Sequence, residues 1–152
     1  MIYTCTYTFK NIHLCLTANK QYLLNISFTQ PQKALLPTTE LLSITIQQLD
    51  AYFKGIRKYF DLPLQLKGTD FQLKVWQELS SIPYGSTCSY KDIAQKIHHP
   101  KAYRAVGMAN NKNPFPIIIP CHRVIDSQKQ LTGYAGGLNI KKFLLQLEQT
   151  YL

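Results

Sequence analysis

Residues 89–111 read SYKDIAQKIHHPKAYRAVGMANN, and their punctuation decides how the second half of the chain folds. Ser89 followed by Asp92 has the form of a capping box, in which each side chain takes a backbone N–H that a helix start leaves open. The break at His98 and His99 ends that helix. Pro100 then opens a second one, because proline's missing N–H costs nothing in a first helical turn. Two short helices joined by a tight break read as a helix-turn-helix, and equally as a helical hairpin. The second helix carries small residues at Ala102, Ala105, Gly107 and Ala109, with Tyr103 and Arg104 the large exceptions. Small side chains let a backbone approach a surface closely, and an arginine among them serves as a wedge or groove-filling cation. The same alanines would suit a helix packed tightly on its own core.

Working outward, the chain upstream holds a helix predicted to begin after the cap Thr69 and to turn Phe71, Val75 and Leu79 inward, ended by the break PYGS at 83–86. Downstream, NKNPFP leads into an apolar strand over 117–119, and Pro120 then precedes the pair Cys121 and His122. A proline holds the residue before it extended, which fixes the direction in which the chain leaves the core. A hairpin-like stretch, DSQKQLTGYAGG, and a closing helix capped by Asn139 follow; that helix carries Phe143, Leu144, Leu147 and Glu148.

Cys121 has two readings. A buried free cysteine is commonly an inert small hydrophobe. The adjoining His122 and Arg123 favour the thiolate and so a reactive thiol. Neighbours on a strand point to opposite faces, so His122 reaches the thiol directly only if the chain turns sharply; a bridging water would serve otherwise. A base of this kind needs a carboxylate to orient it, and Glu148 is the only one after Asp126.

The first 28 residues alternate in bursts rich in β-branched and aromatic residues, IYTCTYTF, IHLCLTA and YLLNISF, which predicts a three-stranded antiparallel meander. Thr39 caps a helix predicted over Glu40–Phe60, with Leu41, Leu42, Leu49, Tyr52, Phe53, Ile56 and Tyr59 as its apolar positions. Cys5, His13 and Cys15 are three soft donors on paired strands that a zinc ion could use, although strand alternation accounts for them as well. DLPLQLKG at 61–68 is the boundary between lobes. The fold class is α+β: an antiparallel sheet plus helix in residues 1–65, and a winged-helix-like domain with the helix-turn-helix in 66–152.

Lys and Arg number 17 against 8 Asp and Glu, a formal net charge of +9. Such an excess steers polyanions, nucleic acid first, although a merely basic protein would share it. The excess is concentrated: between Gly85 and Arg123 stand six basic residues (Lys91, Lys96, Lys101, Arg104, Lys112, Arg123) and one acid, Asp92. Cysteines at 5, 15, 88 and 121 form no C-x-x-C pair and suggest free thiols in a reducing compartment. Neither a leader nor a membrane-length apolar run is visible, so the expected protein is soluble and cytoplasmic, or nuclear in a eukaryote. Residue chemistry leaves three functions open: a cysteine-based DNA-modifying or repair protein, a non-catalytic winged-helix binder, and a cysteine hydrolase.

PCHRV at 120–124, preceded by NPFPIII and followed by GYAGGLNIKKFLLQLE, resembles the active-site signature of the O6-alkylguanine-DNA alkyltransferases, the methylated-DNA–protein-cysteine methyltransferases. GSTCSYKDIA and PKAYRAVGMANNKNP resemble that family's helix-turn-helix. The likeness runs from about Phe71 to Glu148, and the N-terminal lobe resembles the family's ribonuclease-H-like lobe in outline. The resemblance implies that Cys121 accepts the alkyl group, His122 is its water-linked base and Glu148 orients that histidine. It further implies that Asn113 stabilises the turn shaping the site, and that Tyr90 gives a proton to the departing guanine and helps rotate its phosphate. Arg104 would fill the stack left by the flipped nucleotide, with Tyr90, Lys101, Ala102, Ala105 and Arg123 also on the DNA. Pro116, Val124, Tyr134, Ala135 and Gly136 would line the pocket, with the carbonyls of Cys121 and Val124 reading the base edge.

The implied activity is repair of O6-alkylguanine in double-stranded DNA by a monomer, with O4-methylthymine a further candidate substrate. A lesion hidden in the duplex must leave the stack, and a poorly paired base is cheaper to extrude. The thioether product has no polarised carbonyl for water to attack, so the protein turns over once. The mechanism requires no metal and no organic cofactor. Where the family's turn commonly carries a glycine, this chain has Gln128 and Lys129, and Thr132 adds bulk at the pocket rim.

Overall fold

The computed structural model describes residues 1–152 and falls into two compact units, Met1–Leu66 and Lys67–Leu152. In the first, β1 (Tyr3–Phe9), β2 (Ile12–Ala18) and β3 (Leu23–Phe28) form an antiparallel sheet in chain order. Cys5 lies opposite Leu16 and Tyr7 opposite Leu14, so alternation collects these with Ile12 on the buried face. His13 and Cys15 take the other face. The register therefore separates Cys5 from them, and the three possible zinc donors do not converge.

Helix α1 (Glu40–Phe53) starts where Thr39 Oγ1 accepts the Leu42 N–H at 3.3 Å. It buries Leu42, Leu49, Tyr52 and Phe53, and the Phe53 ring stacks on Tyr7 and Phe9 with centroids 5.9 and 4.9 Å away. The expected run to Phe60 is wrong. Gly55 takes φ +75°, its N–H bonds Tyr52 O, and the Ile56 N–H bonds Ala51 O. That is a Schellman stop, which glycine enters without a Cβ clash. Ile56 and Tyr59, read as apolar helix positions, are consequently exposed.

In the second unit, α2 (Asp70–Leu79) and α3 (Tyr90–Lys96) both start with complete capping boxes, Thr69 with Gln72 and Ser89 with Asp92. Helix α4 (Tyr103–Asn111) completes the helix pair, and the Trp76 indole N–H bonds Ala109 O at 2.9 Å in the buried seam between α2 and α4. Pro100 lies in the turn before α4 and not in its first turn; the Ala102 N–H bonds His99 O there. Strands β4 (Cys88–Ser89) and β5 (Val124–Ile125) pair in parallel, joining the start of α3 to the chain just beyond Cys121.

Three further expectations change. Residues 117–119 are not a strand: prolines 114, 116 and 120 remove ladder donors, and Ile117 sits at φ +76°. The stretch after β5 makes a tight turn closed by Asp126 N–H to Gln130 O, with Lys129 at φ +63°, but no strand returns. The closing helix α5 (Leu138–Thr150) is capped by Gly137, at φ +93°, and not by Asn139. No helix is long and apolar enough to cross a membrane.

Candidate active site

The site is built on the irregular chain between α4 and β5. Asn113 accepts the Phe115 N–H with its side-chain oxygen at 2.9 Å and donates its amide to Ile119 O at 2.8 Å. It thereby clasps both ends of a loop whose Phe115, Ile117 and Ile119 fill the core. Pro120, at φ −79° and ψ 63°, centres an inverse γ-turn in which the Cys121 N–H bonds Ile119 O at 2.7 Å. Cys121–Arg123 then form a single 3-10 helical turn. The sharp turn allowed for in the sequence is thus present, and it sends three consecutive side chains in three directions.

Glu148, fully buried on α5, gathers two of the three. His122 Nε2 lies 2.7 Å from Oε2; Arg123 donates Nε to Oε1 at 2.8 Å and Nη2 to Oε2 at 3.0 Å; the Gly85 N–H reaches Oε1 at 3.1 Å. Burial alone would raise the Glu148 carboxyl, but the hydrogen bonds from His122 and Arg123, with the charge of Arg123, outweigh it and hold it well below the usual range. A carboxylate can only accept, so His122 Nε2 carries the hydrogen. Burial, against the pull of Glu148, lowers the His122 pKa, which keeps the ring neutral and leaves Nδ1 as a lone-pair acceptor. Nδ1 is buried without a protein partner. The arrangement is a base oriented by a carboxylate.

Cys121 is 4 % exposed. Burial pushes its thiol up to about 11, against the opposing pull of an Asn113 hydrogen bond and the Lys141 charge. At neutral pH it rests as a thiol and needs a base when it reacts. Arg123 requires a correction. It donates to Glu148 and, through Nη1, to Ile82 O at 2.8 Å, and it is buried, so it is a strut of the site and not a DNA contact.

Tyr90, the first residue of α3, points its hydroxyl at Thr132, and its ring lies 3.8 Å from where a Cβ on Gly107 of α4 would stand. Burial raises the phenol pKa, with the Thr132 hydrogen bond acting in the other direction. Of the pocket residues, Pro116 and Val124 are buried, Tyr134 and Gly136 are half-buried and Ala135 is exposed. The Cys121 carbonyl accepts from the Asn110 amide at 3.4 Å, and the Val124 carbonyl from Lys141 Nζ at 2.6 Å. Lys141 is fully buried, and sequence reasoning missed it because lysine is ordinarily a surface residue. Its signal was its place on the face of α5 that also carries Leu144 and Glu148, at helical spacing.

Outside this core, Lys91, Lys101, Arg104, Ala105 and Lys112 are exposed and Ala102 is half-buried, whereas Ala109 faces the interior. The small-residue face therefore divides, part of it open and part packed.

Comparisons with known proteins agree on one family. The family model described as "6-O-methylguanine DNA methyltransferase, DNA binding domain" matches residues 70–150, and the one described as "6-O-methylguanine DNA methyltransferase, ribonuclease-like domain" matches residues 2–66. A methylated-DNA–protein-cysteine methyltransferase of Methanosarcina barkeri is 48% identical over 145 residues, covering 91% of this chain and 92% of the relative. The chain belongs to the methylated-DNA–protein-cysteine methyltransferase family. Another methyltransferase of that name, from Bacillus subtilis and described as constitutive, is 59% identical over 104 residues, 68% of this chain and 63% of the relative. The crystal structure of the Mycobacterium tuberculosis O6-methylguanine methyltransferase superposes with a TM-score of 0.89 at 42% identity, covering 100% of this chain and 95% of that one. The same organism's protein in complex with DNA gives 0.88 at 43% identity, covering 96% and 92%. The α+β fold read from the sequence is the fold of these methyltransferases.

Proposed function

We propose that this protein repairs O6-alkylguanine in double-stranded DNA by moving the alkyl group onto its own Cys121, once per molecule. The observation that carries the reading is the buried thiol adjoining a neutral imidazole that Glu148 orients, on a turn directly after a helix pair with an exposed basic face. A water between His122 Nδ1 and the thiol takes the place of direct contact, since a buried acceptor requires a donor. As the extruded base enters, His122 takes the thiol proton. The S–C bond forms while the C–O6 bond breaks, and the electron pair stays with guanine. Tyr90 gives guanine its proton, and the proton held by His122 restores the phenol.

The remaining roles are those the family resemblance implies. Asn113 holds the turn that aims Cys121. Arg104 fills the gap left in the stack, and Lys101, Ala102 and Ala105 lie against the duplex. Pro116, Val124, Tyr134, Ala135 and Gly136 surround the base, which the Cys121 and Val124 carbonyls read with their remaining lone pairs. The protein acts as a monomer.

Intact-protein mass tests the reading, using a duplex oligonucleotide with one O6-methylguanine. Wild type gains one methyl group per molecule and saturates, and Cys121→Ser gains none. DNA binding with no mass change in wild type would defeat the proposal and leave a lesion binder.

A further inference from the structure

Thr132, in the segment between β5 and α5, meets Tyr90 twice. The phenol donates to the Thr132 carbonyl at 3.2 Å, and the Thr132 hydroxyl donates to the phenolic oxygen, also at 3.2 Å. The same carbonyl accepts from Lys141 Nζ at 2.6 Å, while the second bond of that ammonium goes to Val124 O. We infer that Thr132 is a positioning residue for the Tyr90 hydroxyl, with Lys141 holding Thr132 in place. The inference rests on Tyr90 being the proton donor to guanine, and it assigns the group that aims and supports that donor.

A phenol that turns its proton toward guanine must release the Thr132 carbonyl. A carbonyl stripped of its donor in a desolvated site is costly, but this one keeps Lys141. Lys141 is itself clamped, since it is fully buried and its ammonium spans strand β5 and the loop that carries Thr132. The Thr132 hydroxyl meanwhile stays directed at the phenolic oxygen, where negative charge grows as the proton departs. A hydrogen bond to a charged acceptor is about twice as strong as one to a neutral acceptor, so the contact favours the transition state over the resting state.

The test is a double-mutant cycle on the single-turnover rate of methyl transfer from a duplex carrying O6-methylguanine, with duplex affinity measured alongside. Thr132→Val keeps the shape and removes the hydroxyl; we expect transfer about five- to tenfold slower with affinity unchanged. Thr132→Ala, which removes the hydroxyl and the branch together, slows transfer to the same extent, and Thr132→Ser, which keeps the hydroxyl alone, restores it. In a Tyr90→Phe background, Thr132→Val has no further effect, because its partner is gone. Wild-type rates in Thr132→Val, or equal slowing with and without the Tyr90 hydroxyl, would overturn the inference while leaving Tyr90 as donor. A Tyr90→Phe protein that transfers at the wild-type rate would overturn both.

Discussion

At the residue scale, Glu148 decides whether the site is a base or a burden. It is fully buried and its two oxygens take four hydrogen bonds, from His122, Arg123 twice, and the Gly85 backbone. Glu148→Gln leaves the Arg123 cation without a counter-charge inside the protein, which costs on the order of 3–5 kcal/mol in urea unfolding at pH 7. It also turns one of the two acceptor oxygens into an N–H donor, and with Arg123 and Gly85 competing for the oxygen that remains the His122 tautomer is no longer fixed, so methyl transfer slows together with the loss of stability. The pH dependence follows from the direction of two shifts. Both groups have folded pKa values below their ordinary ones, so the unfolded chain binds more protons in acid and stability falls as pH drops. The loss begins below the ordinary histidine value of 6.5, as the unfolded imidazole charges and the buried one does not. It steepens below the ordinary carboxylate value of 4.5, as the unfolded Glu148 takes a proton that the folded one refuses. Urea midpoints measured from pH 7 to pH 3 resolve the two stages, and in Glu148→Gln the second is reduced.

At the element scale, the helix-turn-helix is an exposed cationic edge on a packed frame. Val106, Ala109 and Asn110 of α4 face inward, where the Ala109 carbonyl receives the Trp76 indole, so Arg104 and Ala105 are turned outward. Arg104→Ala therefore leaves the urea midpoint within error of wild type. It slows transfer from duplex DNA about tenfold or more, since nothing then offsets the cost of unstacking the base. Reaction with free O6-methylguanine base stays at the wild-type rate, because no stack has to be opened; single-turnover assays on both substrates check the pair of outcomes. These elements were legible in the sequence where the chemistry is local. Thr39, Thr69 and Ser89 cap as read, because a side chain reaching a backbone N–H three residues away needs no tertiary partner. The end of α1 lies at Gly55, whose positive φ stops a helix that the apolar spacing of Ile56 and Tyr59 would continue. The 3-10 turn at Cys121 and the inward course of Arg123 and Lys141 were not legible. A charged residue reads as surface until its buried partner is known, and Glu148 lies 25 residues from Arg123.

At the scale of the whole molecule, the candidate site and the exposed cations of the helix pair occupy one unit. The Cys121 thiol, His122 and the Glu148 carboxylate, the clasping Asn113 and the exposed cations of α3 and α4 all belong to Lys67–Leu152. That unit carries the strain of its own product. Cys121 lies among Asn113, Lys141 and Tyr134, each close enough to act on its ionisation or to be acted on by it, with almost no exposed surface. A methyl group on sulfur adds volume where the loop is pinned by Asn113 at one end and by Lys141 beyond the other. Overpacking of this kind costs about 1–3 kcal/mol when neighbours cannot relax. For a chain of this length each kcal/mol lowers the midpoint by ~2–4 °C, so the methylated protein is expected to melt about 2–12 °C below the unmodified one. Differential scanning calorimetry before and after reaction with one equivalent of O6-methylguanine duplex, with the DNA removed, measures the difference. Equal midpoints would mean that the pocket already holds space for the alkyl group, and the spent protein would then persist as a folded DNA binder competing with fresh molecules for lesions.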